Sequence, residues 1–211
     1  MKVKNHFLAM FIVVLSLAFS MRTNVSAAQQ DGLAQNENGV WCYYVSGEVD
    51  NSYTGLANVG DTWWYVQNGV INFDYNGIVP FGDAWWCVAG GRVCTDYTGL
   101  WSDPSVGWWY IKDGTIDFSY NGMIPYGDAW WCVAGGRVCF EYTGLWNDPS
   151  IGWWYIQDGT INFNYFGMIP YADAWWCVVG GQVRTDYTGL WSDPSAGWWY
   201  SNNGAIDFSY N

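Results

Sequence analysis

The sequence predicts an all-β fold: a solenoid of tandem β-hairpins, about eight units of 22–23 residues grouped into a 45-residue double repeat. Three observations carry that expectation. Trp opens a unit at positions 41, 63, 85, 108, 130, 153, 175 and 198, and each unit has a Gly six residues later and a Tyr twelve residues later. The first of those glycines sit in dipeptides such as Asn68-Gly69, Gly90-Gly91 and Asp113-Gly114, which suit type I′ turns because both central residues need positive φ. Aromatic residues make up 21% of the chain and charged ones only 12%, spread evenly along it rather than gathered into one core.

Taken in order, residues 1–27 read as an export signal. Lys2 and Lys4 give a basic start, Phe7 to Phe19 form an apolar run broken only by Ser16, and Val25-Ser26-Ala27 offers a small-residue cleavage site. That run is short for a membrane span, which needs about 20 residues. Residues 28–40, rich in Gln, Asn and Gly, read as a flexible leader, and residues 41–211 form the repeat domain.

Within a unit, centring the turn on the glycine dipeptide sets the register. In the second unit Val66 faces Ile71, Tyr65 faces Asn72 and Trp64 faces Phe73. Alternation then puts Trp64, Val66, Ile71, Phe73 and Tyr75 on one face, with Trp109, Ile111, Ile116, Phe118 and Tyr120 as equivalents, and that face is the expected inner wall. Trp63, Tyr65, Asn72 and Asp74 fall on the opposite, outer or inter-hairpin face. One hairpin is marginal in water, so the units must bury one another.

Two unit types alternate. One reads W-W-Y-[VI]-x-[ND]-G, the other W-W-C-V-x-G-G, and together they make the 45-residue period. Prolines 80, 104, 125, 149, 170 and 194 fall between the turn dipeptides, in segments read as connectors because Pro cannot donate to a ladder.

Cys87 with Cys94, and Cys132 with Cys139, occupy cross-strand positions in this register. Opposed residues lie inside the Cα window of a disulfide, so two intra-hairpin disulfides are expected in an exported chain. Cys177 lacks that partner, since Arg184 stands in its place, and Cys42 is a second orphan. The only His is His6, in the signal segment, and no cysteines have zinc-knuckle spacing, so no metal site and no cofactor are expected.

After signal removal four cations (Arg92, Lys112, Arg137, Arg184) stand against 19 carboxylates, a formal −15. That field opposes nucleic acid and anionic lipid, and leaves neutral glycans and cationic groups as partners. An enzyme is not expected. No His remains for acid/base work, and the carboxylates are copies of one another, Asp83, Asp128 and Asp173 being a single position.

The unit G-W-W-Y-[VI]-x-[ND]-G-x-[IV]-[DN]-F-x-Y-x-G, as at 107–122 and 152–167, resembles the cell-wall-binding repeats of Gram-positive, clostridial-type exported proteins. More distantly it is similar to choline-binding and glucan-binding repeats. The resemblance covers about 170 of the 211 residues. It implies a hairpin solenoid that attaches to cell-wall glycan or a choline-bearing polymer at the bacterial surface. It also implies aromatic cages for a quaternary ammonium, held by cation–π attraction. The cage residues it implies are Trp63 with Tyr65, Trp108 with Tyr110, Trp153 with Tyr155, and Trp198 with Tyr200. Cys87, Cys132 and Cys177 replace the Tyr in the alternate units, which restricts cages to every second unit. The other expectation, from a different class, is a structural stalk or adhesin-like array that contacts proteins.

Overall fold

A computed structural model describes residues 31–210, and the expected export segment lies outside them. The described residues form 24 β-strands and no helix, all paired antiparallel. The chain is an all-β solenoid of tandem hairpins, as the repeat predicts.

Eight two-armed hairpins follow one another. Their arms are Gly32–Gln35 with Trp41–Val45, Gly55–Val59 with Thr62–Gln67, Gly77–Phe81 with Ala84–Ala89, and Gly99–Asp103 with Gly107–Lys112. Then come Gly122–Tyr126 with Ala129–Ala134, Gly144–Asp148 with Gly152–Gln157, Phe166–Tyr171 with Ala174–Val179, and Gly189–Asp193 with Gly197–Asn202. A two-residue strand follows each second arm, for example Thr115–Ile116 after Gly107–Lys112.

The expected register holds at the glycine turns, where Val66 pairs with Ile71 and Ile111 with Ile116. It is only two residue pairs long, however. The longer pairing closes across the segments read as connectors: Gly99 to Asp103 pair with Ile111 to Gly107, and Gly122 to Tyr126 with Val133 to Ala129. Pro80, Pro125 and Pro170 therefore lie in strands, opposite Trp85, Trp130 and Trp175, while Pro104, Pro149 and Pro194 lie in turns. Each of those three strands pairs on one side only, so a missing N–H breaks no second ladder.

The leader also needs correction. Gly32–Gln35 is a strand paired with Trp41–Val45, held at the turn by the Asn36 side chain, which accepts from the Asn38 and Val40 N–H groups. Polar composition hid a first arm that Leu33 and Ala34 fix to the sheet.

The two-residue strands join hairpin to hairpin. Thr115 pairs with Trp86 of the preceding hairpin, and Cys87 N–H donates to Gly114 O at 2.8 Å. The turn glycines are what make this docking possible. Asp113 and Gly114 have φ of 49° and 81°, and a Cβ at Gly114 would lie 2.6 Å from Cys94 O. Gly136 is in the same position against Asp117 O at 2.5 Å. The glycine period of the sequence is thus a packing requirement between units, beyond the demand of the turn.

Seven core clusters follow along the solenoid. Val66, Val88, Ile111, Val133, Ile156 and Val178 are fully buried in them, each contributing roughly 2 kcal/mol by burial. One part of the expected inner wall is corrected. Phe73 and Phe118 are about half exposed (51% and 52%), because strand pairing ends at Ile71 and Ile116 and the chain turns outward. They still rest edge-on against Trp64 and Trp109, at 5.4 and 5.5 Å between ring centroids.

The expected disulfides are absent, all six cysteines being free thiols. Cys94 N–H donates to Cys87 O at 2.9 Å, and Cys139 N–H to Cys132 O at 2.9 Å. Each pair shares only that one backbone bond, because the Cys87 and Cys132 N–H groups donate to Gly114 O and Gly159 O of the following hairpin.

Candidate binding site

The leading Trp of the second, fourth and sixth hairpins faces the next hairpin. Trp63 meets Phe81, Trp108 meets Tyr126, and Trp153 meets Tyr171, with ring centroids 5.1, 5.2 and 4.9 Å apart and planes steeply inclined. Phe81, Tyr126 and Tyr171 end the first arm of the following hairpin. From its second arm Trp86, Trp131 and Trp176 add a third ring. Each of those indoles donates its N–H to the carbonyl of residue 81, 126 or 171, at 3.2, 3.2 and 3.4 Å. The bond spends the indole's only polar group on the backbone, so its orientation is set before any ligand arrives.

At the junction of the sixth and seventh hairpins these rings line a groove of about 320 Å³ with Leu145, Val183 and Thr185. Asp173 stands at its mouth, exposed, with Ala172 and Ala174 beside it. Asp83 and Asp128 are exposed at the equivalent turns. The same apolar floor recurs at the two other junctions, from Leu56, Val88 and Val93 and from Leu100, Val133 and Val138. The result is an open trough of two indoles and a third ring, with a carboxylate at the rim. Such a site suits a cation with an apolar surface.

The sequence-predicted residues divide. Trp63, Trp108 and Trp153 line the troughs. Tyr65, Tyr110 and Tyr155 do not: they stack on Tyr75, Tyr120 and Tyr165 at 3.9, 4.0 and 4.1 Å, and Tyr65 and Tyr155 are buried. Burial foremost, then the Asp148 carboxylate, pushes Tyr120 up to about 12, so that phenol stays neutral. Trp198, 71% exposed, and Tyr200, stacked on Tyr210, have no following hairpin among the described residues to complete a trough. The missed members, Phe81, Tyr126, Tyr171, Trp86, Trp131 and Trp176, lie one hairpin further along the chain. Their signal was the ring before each Gly/Ala-Asp-Ala turn, in a segment read as a connector.

The alternate junctions are built differently. At the strand position of Phe81, Tyr126 and Tyr171 stand Asp103, Asp148 and Asp193, all buried. Each carboxylate accepts from a backbone N–H of the preceding hairpin, Ile78, Met123 or Met168, at 2.7, 2.7 and 2.8 Å. Its other oxygen caps its own turn at Ser105, Ser150 or Ser195. Burial alone would raise Asp193, but hydrogen bonds from Ser195 and from the backbone at Ser195, Ala196 and Met168 hold it below the usual carboxylate value.

Fold and site together define a repeat array with an open aromatic trough at every second junction. The choline-binding repeat family matches residues 52–72, 74–94, 96–117, 119–139, 141–162 and 186–207, more than half of the chain, and the chain belongs to that family. A search of curated proteins finds no match. Between its matched segments the family match skips 163–185, which carries Phe166, Ala172 and Arg184 where the preceding copy has Asn121, Gly127 and Cys139. Its trough is intact.

Proposed function

We propose that the protein is an exported, non-catalytic module that holds quaternary ammonium groups of a choline-bearing surface polymer in three troughs. Their rings are Trp63–Phe81–Trp86, Trp108–Tyr126–Trp131 and Trp153–Tyr171–Trp176. The observation that carries this reading is the Trp153–Tyr171–Trp176 groove with Asp173 at its rim. Membership of the choline-binding repeat family supports it, as does the export signal read from residues 1–27. A trimethylammonium head offers methyl surface to the indoles and charge to their π faces, worth roughly 0.5–2 kcal/mol per site. Single troughs are weak, but a polymer bearing many such heads engages several at once and gains avidity. The acidic field raises the local concentration of cations and disfavours bare phosphate.

A second reading, neutral glycan, draws on a different hollow. Gln157, Asp158, Thr160, Asn162 and Asn164 surround the half-exposed ring of Phe163, and Asn162 donates to Gln157 at 2.8 Å. An aromatic platform rimmed by amides and hydroxyls suits a sugar ring. Retention of the folded chain on immobilised choline, peptidoglycan and glucan, side by side, separates the readings. Retention on choline that free choline elutes, and that weakens in Trp153→Ala/Tyr171→Ala, supports the first. Retention on glucan that survives this double variant supports the second, and no retention on any matrix supports a stalk.

A further inference from the structure

Two thiol pairs stand outside the troughs. Cys87 and Cys132 are fully buried on the second arms of the third and fifth hairpins, next to the trough residues Trp86 and Trp131. Opposite them, Cys94 and Cys139 are part-exposed where the chain leaves the two-residue strands Arg92–Val93 and Arg137–Val138. The members of each pair face each other across the glycine turn, their backbones joined by a 2.9 Å hydrogen bond. Each outer sulfur also points at a backbone carbonyl, Arg92 O at 3.8 Å or Arg137 O at 3.7 Å.

The seventh hairpin shows what an unpaired copy looks like. Arg184 replaces the outer thiol and forms an ion pair with Asp186 at 3.0 Å. Ser201 fills the buried place held by Ile111 and Ile156 in the earlier copies, and its hydroxyl donates to Tyr187 O at 3.5 Å.

We propose that Cys94 with Cys87, and Cys139 with Cys132, are two modification sites that undergo thiol–disulfide exchange with low-molecular-weight disulfides and close to intra-hairpin disulfides. The part-exposed thiolate attacks one sulfur of the small disulfide, forming a mixed disulfide and expelling one thiolate, which takes up the proton the attacking thiol gave to water. The buried thiol then loses its proton, attacks the protein sulfur of the mixed disulfide and expels the second small thiol. Two protein thiols are oxidised by two electrons, and one small disulfide is reduced to two thiols.

The order of attack follows from the surroundings. The facing inner thiol draws Cys94 down and holds Cys139 at about 7, while the outer thiol and burial push Cys87 and Cys132 up. A thiolate near neutral pH that is open to solvent is the entering nucleophile, and its buried neighbour resolves. Closure would cross-link the two strands beside Trp86 and Trp131.

The test is exposure of the folded, reduced chain to oxidised glutathione, followed by alkylation in denaturant and peptide mapping. The expected result is loss of four of the six thiols, mapped as Cys87–Cys94 and Cys132–Cys139 within one chain, with Cys42 and Cys177 still alkylatable. Cys132→Ser should trap glutathione on Cys139, and Cys139→Ser should leave Cys132 unmodified. Six thiols surviving, stable glutathione adducts on both members of a pair in the unsubstituted chain, or links between chains would each overturn the proposal. The unsubstituted chain alone decides it if a variant fails to fold.

Discussion

The solenoid has two kinds of junction between hairpins, and they differ at one strand position. Where a Tyr-type hairpin meets a Cys-type hairpin, the first arm of the latter ends in Phe81, Tyr126 or Tyr171, and a trough stays open. Where a Cys-type hairpin meets a Tyr-type hairpin, the arm ends in Asp103, Asp148 or Asp193, and the carboxylate reaches back to bond the preceding hairpin. Two positions earlier the order is reversed: Val79, Ile124 and Ile169 at the open junction, Trp101, Trp146 and Trp191 at the closed one. Those tryptophans pack near Tyr97, Tyr142 and Tyr187 at 5.4–5.7 Å, and their indole N–H groups are buried with no hydrogen-bond partner. Moving a ring by two residues along a strand converts an open trough into a cross-brace.

Both junction types share the glycine dock, so the largest effect should be common to them. Gly114→Ala at a closed junction and Gly136→Ala at an open one each drive a Cβ into a backbone carbonyl from a positive φ. Each should cost about 3 kcal/mol or more of stability through overpacking and backbone strain. Thermal unfolding of the two variants should agree closely, and a loss at only one junction type would mean that the docking differs.

The next effect should separate the types. Asp148→Ala leaves the buried Met123 N–H without its acceptor, which should cost about 1–3 kcal/mol of stability while leaving choline affinity unchanged. Trp153→Ala, at the open junction, should act on binding as well as on packing. It should weaken choline binding at that trough by roughly 2- to 30-fold, the range of a lost cation–π contact, as read by tryptophan fluorescence titration.

The smallest effect concerns acid. Asp193 is held below the ordinary carboxylate value in the fold, so its stabilising share is present above the unfolded value, about 3.9, and is lost as pH falls through the lower folded value. Asp193→Asn should flatten that acid limb of stability and leave neutral-pH choline binding alone. An unchanged acid limb would remove Asp193 from the brace.

Much of this comparison was legible in the sequence. The Trp, Gly and Tyr periods gave the hairpins, and the alternation of W-W-Y with W-W-C matches the aromatic troughs at every second junction, with Trp63, Trp108 and Trp153 among their rings. The partner rings were not legible. The family resemblance and strand alternation paired each Trp with the Tyr two residues on, whereas the longer ladder closes at the other end of the arm. Across that ladder the Tyr side chain stacks inward and the third ring comes from a neighbouring hairpin. Asp103, Asp148 and Asp193 were missed for a related reason: their backbone partners lie 25 residues back, at no short-range spacing. Gly77, Gly122 and Gly167 carried a faint signal of them, since a Cβ there would meet a carboxylate oxygen at 2.5, 2.7 and 3.1 Å.

The most direct test of the account is a calorimetric titration of the folded chain with choline, read for stoichiometry. The troughs on Trp63, Trp108 and Trp153 predict three sites per chain, falling to two in Trp108→Ala. Binding at every junction, or no change of stoichiometry in that variant, would contradict it.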